Sequence, residues 1–446
     1  MTDAPQTLAR SLSTLHLWGI AVGLVISGEY FGWNYGWATA GTLGFLVTTL
    51  FVAAMYAAFL FGFTELTAAM PHAGGPFEFA RRAFGPAGGA LAGAATLVEF
   101  VFATPAIALA IGTYLSVQFP AVDPKLAATT AFALFLLLNA AGVRIAAGFE
   151  LAVTLLAVFE LMVFVGVVSP AFSVASFVAG GWSGQDVFGL GALPGMIAAI
   201  PFAIWFFLAI EGVAMAAEEA RDPRRAIPIA YLGGIATLTV LAIAVMVAAG
   251  GSGDWRELAD INDPLPRAMQ RVVGADSGWV HMLVALGLFG LVASLHGIIL
   301  GYSRQIFALA RAGYLPASLA RLHPTRRTPI RALLAGGAVG IAAIHADSLI
   351  DLHGQSLTAL LVTLSVYGAL TMYAVSLAAL FRLRRTAPGM VRPFRAPGYP
   401  WIPGFALGAV LLCLATTIWT APMLGAGYGA ALVIGGLALR RFGPFR

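Results

Sequence analysis

The sequence predicts an all-α membrane protein. Twelve transmembrane helices form a five-plus-five inverted repeat with discontinuous helices 1 and 6, followed by two C-terminal helices. Three observations lead there. The 446 residues are 60% hydrophobic and only 10% charged, with a mean hydropathy of +0.88, whereas soluble chains run at about 45–50% apolar and about 25% charged. The apolar residues gather into long continuous runs rather than the short alternating segments of an outer-membrane barrel. Two runs are interrupted by a paired acid and glycine, five spans apart. This composition excludes a soluble enzyme, a nucleic-acid binder and a disordered chain. The formal charge of +5 reads as basic loops on one face of a membrane.

A spanning helix needs about 20 mostly apolar residues. Runs of that kind lie near 14–38, 42–70, 86–117, 125–142, 149–170, 190–219, 227–250, 278–310, 330–346, 355–381, 402–421 and 424–440. With the N-terminus in the cytoplasm, 21 of the 25 basic residues fall on the cytoplasmic side and only Lys125, Arg256, Arg267 and Arg271 fall outside. The positive-inside rule therefore supports twelve spans, with residues 1–13 and 441–446 cytoplasmic. The expected division is a first repeat over 14–170, a second over 190–381 and the last pair over 402–440. The longest outside loop, about Gly251 to Ser277, is polar. No separate signal peptide precedes the first span. The single cysteine, Cys413, rules out an intramolecular disulfide and a cysteine-based zinc site, and it sits in an apolar run as a packing residue.

Span 1 carries the triplet Ser27-Gly28-Glu29 at mid-membrane, in a run with glycines at 19, 23, 28, 32 and 36. Small residues pack helices closely, but packing does not require an acid, which costs at least about 2.5–3.5 kcal/mol at that depth. A locally unwound helix lining a polar cavity accounts for all three residues. Span 6 repeats the pattern with Glu211-Gly212, 182 positions later. Five spans is an odd number, so the second unit inserts upside down. Matching breaks in two inverted halves place a transport site at mid-bilayer, where unwound backbone is tolerated because it lines a cavity.

Six of the ten glutamates lie in or beside spans: Glu29, Glu65, Glu99, Glu150, Glu160 and Glu211. An ionisable residue inside a membrane is a functional candidate by default. Glu65 is expected to pair with Arg81 or Arg82, and Glu150 to stabilise the start of its helix. Glu99 and Glu160 sit deeper, with either a proton or substrate role or a paired structural one. His296, deep in span 8, either carries protons or satisfies a span-1 carbonyl. Lys125, outside the membrane, is the only lysine. Acids without bases point to a cationic substrate, a proton, or both. Trp205 lies six residues before Glu211, placed to cover a bound amine by a cation–π contact worth about 0.5–2 kcal/mol. Tyr30 and Trp33 flank Glu29 and extend that cage, while Trp18 and Trp37 read as interfacial anchors.

Four stretches resemble the amino acid–polyamine–organocation superfamily over essentially the whole chain. They are Ile26-Ser27-Gly28, Glu65-Leu66 with Pro71-His72-Ala73-Gly74-Gly75, Ala217 to Pro228, and Ser303-Arg304 through Ala310 to Pro316. Within it the strings Ile26 to Gly36 and Ser294-Leu295-His296-Gly297-Ile298-Ile299 are most similar to the ethanolamine permeases, in which an acid follows the Ser-Gly pair. The resemblance implies the inverted-repeat fold, an ethanolamine-like substrate and proton coupling. It also implies that Trp205 matches an aromatic gate and Glu211 the acid after the span-6 break. Two departures stand out. Ala209 occupies a position that is usually glycine. Ala157, aligned from Gly142-Val143-Arg144, stands where some proton-coupled relatives have lysine, which leaves Glu99, Glu160 or His296 as proton carriers.

The expected substrate site comprises Ile26, Ser27, Gly28, Glu29 and Tyr30 of span 1 with Trp205, Phe207, Leu208, Ala209 and Glu211 of span 6. The substrate ammonium meets Glu29 or Glu211, its hydroxyl meets a nearby N–H, and Glu29 folds onto the free amides of the break. The expected partners are a small cationic amine, a proton and the lipid bilayer of the inner or plasma membrane, with no nucleic acid, cofactor or metal. Sodium stays open as the coupling ion because backbone carbonyls are not readable from sequence. An amino acid permease of the same fold is the alternative. A membrane enzyme or sensor finds no support: there is no metal-ligand pair at helical spacing, no nucleophile motif, no phosphate loop and no sizeable polar domain.

Overall fold

The computed structural model describes residues 11–72, 74–141, 146–326, 328–348 and 356–442. Ala73, Gly142-Val143-Arg144, Arg327, His353 and the outermost parts of the expected cytoplasmic termini lie outside the described residues.

The described chain is helical, with two isolated bridges, Leu12 to Ala220 and Trp182 to Gln185, as its only β pairing. In chain order the helices are α1 (Thr14–Val25), α2 (Ser27–Tyr30), α3 (Tyr35–Ala69), α4 (Pro76–Gln118), α5 (Pro124–Ala141) and α6 (Ala146–Val168). Then come α7 (Val174–Val178), α8 (Leu193–Ala198), α9 (Ile200–Trp205), α10 (Pro223–Gly251), α11 (Pro264–Val273) and α12 (Gly278–Arg311). The chain closes with α13 (Ile330–Ile344), α14 (Leu357–Thr386), α15 (Trp401–Thr420) and α16 (Pro422–Phe442). A ten-residue 3-10 helix, Ile210–Glu219, follows α9. Among the described residues nine segments are long and apolar enough to cross a membrane. Thr14–Val25, Ile330–Ile344 and Pro422–Gly436 are shorter apolar helices, at the places where the sequence puts spans 1, 9 and 12.

Two long helices change direction at glycine. In α3, Gly41 has φ 67°, and a Cβ there would lie 2.5 Å from the Gly181 carbonyl oxygen. Only a residue without a side chain can turn the chain so close to another backbone, and this turn separates the end of span 1 from span 2. Gly85 (φ 75°) turns α4 through the same left-handed region, with open space where a Cβ would lie. The inner faces merge into one apolar core around α1, α3, α4, α9, α12 and α14. Outward faces such as Leu137, Phe159, Met162 and Trp419 remain exposed, which suits lipid contact.

Candidate functional site

The first break lies later than the triplet suggests. Helix α1 ends at Val25, Ile26 keeps right-handed helical angles, and Ser27–Tyr30 form one more helical turn. The departure comes at Phe31, which is extended, and at Gly32, with φ 91°. What interrupts the ladder at Ile26 is a foreign side chain. Ser294 of α12 donates to the Gly23 carbonyl at 2.7 Å and accepts the Ser27 N–H at 3.1 Å. In the sequence Ser294 stands only within the string Ser294 to Ile299, and nothing local marks it as the partner of span 1. A side chain inserted into a helical ladder is a recognised cause of kinking.

The second break falls at Phe206–Ala209. Helix α9 stops at Trp205, Ala209 is left-handed with φ 78°, and the 3-10 helix begins directly afterwards. Its first turn carries Glu211, which is fully buried. The two breaks cross in contact. A Cβ at Gly28 would sit 2.5 Å from the Trp205 carbonyl oxygen, so glycine is what lets the two backbones meet. Phe31 packs edge-on against Trp205 at 5.6 Å, and Trp33 stacks on Phe206 at 5.6 Å. Phe207 leans on Tyr56 at 5.2 Å, and Leu208 is buried beside it.

Glu29, Glu99, Glu160 and Glu211 have no solvent exposure, but the structure pairs them selectively. The Glu99 carboxyl of α4 lies within electrostatic reach of Glu211 and close to the Ala209 backbone. Tyr373 of α14 donates to Glu211 Oε2 at 3.0 Å and contacts the Tyr56 hydroxyl at 3.0 Å. Tyr231 donates to the Glu211 carbonyl at 3.2 Å. Glu160 accepts the Tyr30 hydroxyl, and Tyr114 donates to the Tyr30 carbonyl at 3.0 Å. Neither Glu29 nor Glu99 has a carboxyl oxygen hydrogen-bonded among the described residues, but Glu99 has Glu211 within electrostatic reach and Glu29 does not. The candidate proton carrier Glu99 and the candidate binding residue Glu211 are thus brought together, while Glu29 is not joined to them.

Several sequence expectations are corrected. Glu29 does not fold onto the amides of the break, because Ser294 already holds the Ser27 N–H. Trp33 does not offer a free ring face to a cage, since it stacks on Phe206 and packs edge-on against Trp37. The Tyr30 hydroxyl is held by Glu160, and the Trp33 indole N–H donates to the Glu29 carbonyl at 3.1 Å. Trp37 is fully buried between Trp33 and Trp255, not interfacial. Glu65 does not pair with Arg81 or Arg82. Arg384 donates to both of its oxygens, at 2.9 and 2.5 Å, Arg392 lies 3.1 Å away and the Ala396 N–H 2.8 Å away, while Arg81 pairs with Glu78. His296 meets Asn139 at 2.9 Å rather than a span-1 carbonyl. Glu150 lies beyond the first turn of α6, and its Oε1 is buried with no hydrogen bond. Among the described residues no cluster of three metal-ligating side chains occurs.

The loop 251–277 covers one side of the breaks. Asn34 donates to the Leu258 and Ile261 carbonyls at 2.7 and 2.8 Å and accepts the Gly32 N–H at 3.0 Å. Tyr35 donates to Asn262 at 2.8 Å. On the opposite side a cavity of about 680 Å³ reaches from Leu24, Phe100 and Gly212 at the breaks to Arg304 and Arg326 at the bundle end. The loop thus packs over one side of the breaks, and the cavity lies on the other.

A model of the family described as amino acid permease matches residues 12–438. The chain belongs to the amino acid permease family. The permease is 29% identical to an uncharacterized transporter of Rhizobium meliloti, over 94% of this chain and 88% of that one. It is 24% identical to the branched-chain amino acid permease BcaP of Bacillus subtilis, over 93% and 88%. Among solved structures it matches Mhp1, a nucleobase-cation-symport-1 family transporter in a closed conformation with bromovinylhydantoin bound. That match has a TM-score of 0.55 at 14% identity and covers 95% of this chain and 96% of the other. The permease is therefore a multi-pass membrane protein with a transporter fold and a secondary transporter of small substrates, not an enzyme.

Proposed function

We propose that this permease imports ethanolamine or a similar small primary amine across the cytoplasmic membrane, driven by the proton gradient. One observation carries the reading: Glu99 lies within electrostatic reach of Glu211 at the break of span 6, where the Tyr373 hydroxyl donates to Glu211. No Lys or Arg appears among the interactions described for either carboxyl. An acidic centre at membrane depth needs a cation to compensate it. Two carboxyls so close titrate as a unit, so ammonium arrival and proton release can be one exchange. Trp205 lies directly against the first break, in position to close over the amine.

The same reading keeps twelve spans, nine long helices and three shorter ones, with both ends cytoplasmic. The interruptions after α2 and after α9 support two inverted five-span units over 14–170 and 190–381, with the remaining pair over 402–440. On this orientation the cavity with Arg304 and Arg326 opens to the cytoplasm and the loop 251–277 closes the outside.

An amino acid substrate is the second reading, favoured by the likeness to a branched-chain amino acid permease. It would need free amides at the span-1 break for the substrate carboxylate. Ser294 takes the Ser27 amide, and buried Glu29 would repel such a group. Uptake of labelled ethanolamine into proteoliposomes, under imposed pH or sodium gradients and against a panel of competing amino acids, tests both. Uptake that needs an inwardly directed proton gradient and is insensitive to amino acids is expected. Amino acid uptake without ethanolamine uptake would replace the first reading with the second.

A further inference from the structure

The cytoplasmic vestibule contains a second group of polar side chains that neither break uses. Glu150 of α6 and His296 of α12 both line the cavity and are 8% and 9% exposed. Glu150 Oε1 lies against the seam between Gly23 and Gly297 and has no hydrogen bond among the described residues. The two amide hydrogens of Asn139 go to the Phe135 carbonyl at 2.8 Å and to His296 Nδ1 at 2.9 Å. His296 Nδ1 is therefore the acceptor, and the ring proton of neutral imidazole sits on Nε2. Asn139 Oδ1 is left without a partner. Two unpaired acceptors, Glu150 Oε1 and Asn139 Oδ1, thus lie buried immediately behind the wall, where a small side-chain rotation would bring them to the cavity, and His296 Nε2–H is a spare donor. The basic residues at the mouth are engaged: Arg304 lies 3.6 Å from Glu219, and Arg326 donates to the Ala140 carbonyl at 3.3 Å.

We propose that Glu150, Asn139 and His296 form a cytoplasm-facing subsite for a small organic ammonium ion, a station between the central breaks and the mouth. An ammonium group carries three donors and a positive charge, which match a buried carboxylate and a carbonyl oxygen left unpaired. The imidazole N–H suits an adjoining hydroxyl oxygen. Phe100, on the same cavity, adds an aromatic face. The inference rests on the reading that the cargo is cationic, but not on which amine is carried or on coupling to protons.

The test uses the full-length protein in detergent with its single cysteine removed (Cys413→Ala) and a reporter introduced by Leu300→Cys. Leu300 lines the cavity one turn beyond His296. The reporter is modified by 2-aminoethyl methanethiosulfonate, a cation, and by its 2-sulfonatoethyl counterpart, an anion. The cation should react faster, and ethylammonium should slow it. Glu150→Gln should lower the cation-to-anion rate ratio at least fivefold and abolish protection, and Glu150→Asp should retain both, which separates lost charge from lost folding. Absence of ethylammonium protection in the parent, or equal protection in Glu150→Gln, would overturn the subsite. Protection without ethanolamine uptake would sink the transport assignment alone; uptake without protection would sink the subsite alone.

Discussion

Ser294 holds Ser27 across the helix interface: its Oγ accepts the Ser27 N–H at 3.1 Å while donating to the Gly23 carbonyl at 2.7 Å. One hydroxyl on α12 thus replaces a rung of the ladder in span 1. Ser294→Ala should leave a buried N–H and carbonyl unpaired and lower stability by about 1–3 kcal/mol. The measurement is thermal unfolding in detergent, with uptake followed in parallel. A variant as stable as its parent would mean that the α1 ladder closes on its own.

Gly28 is the contact point of the two breaks. In Gly28→Ala the new Cβ would meet the Trp205 carbonyl oxygen at 2.5 Å, a backbone atom that cannot swing away. Overpacking of this kind typically costs about 1–3 kcal/mol. Uptake should be abolished even where folded protein is recovered by size-exclusion chromatography. Near-normal uptake would show that the breaks do not work at this spacing.

Ala209 holds a left-handed conformation with φ 78°. For an L-residue with a Cβ this costs roughly 1–2 kcal/mol, partly offset by glycine's greater chain entropy when unfolded. Ala209→Gly should therefore raise stability by about 0.5–1 kcal/mol, while Ala209→Val should lower it. Apparent melting temperatures of the two variants should bracket the parent.

Glu65 joins the end of α3 to the end of α14 and to the segment before α15. It is 1% exposed and bound by Arg384, Arg392 and the Ala396 N–H. Removing one member of a buried ion cluster costs about 3–5 kcal/mol because the rest stays buried uncompensated. Glu65→Ala should lose most folded yield, and Glu65→Asp part of it. Fluorescence-detected size exclusion of whole-cell extracts would read both.

Tyr373 donates to Glu211 at 3.0 Å. Tyr373→Phe keeps the ring and deletes the bond, worth about 1.5–3 kcal/mol to a charged acceptor. Because this bond forms without substrate, its loss should lower the melting temperature, and KM for labelled ethanolamine should rise as Glu211 loses the hydroxyl that positions it. An unaltered KM would detach Tyr373 from the substrate site.

Much of this was legible because membrane depth writes itself into the sequence. The apolar runs anticipate the helices, nine of which among the described residues are long and apolar enough to cross a membrane, and the Glu211-Gly212 pair lies just after the second break, whereas the turns at Gly41 and Gly85 appear only in the structure. The first break shows the limit of that reading. Ser27-Gly28-Glu29 announces a polar interruption, but the chain stays helical to Tyr30 and opens at Phe31 and Gly32, because Ser294 supports the turn from another helix. Glu65 illustrates the same limit. The nearest arginines in sequence were the natural partners, yet its partner Arg384 lies 319 positions away.

By itself the sequence determined that this chain lives in a bilayer, which runs are apolar enough to lie in it, and which acids must find compensation there. Those follow from local composition, since each residue's transfer cost is its own. Tertiary structure decided which acid meets which partner: Glu211 with Glu99 and Tyr373, Glu160 with Tyr30, Glu65 with Arg384 and Arg392, and Glu150 with the vestibule. Inside a bilayer no water satisfies a buried polar group, so each group's role depends on the helix face packed against it, and that pairing is set by contacts hundreds of residues apart in the chain.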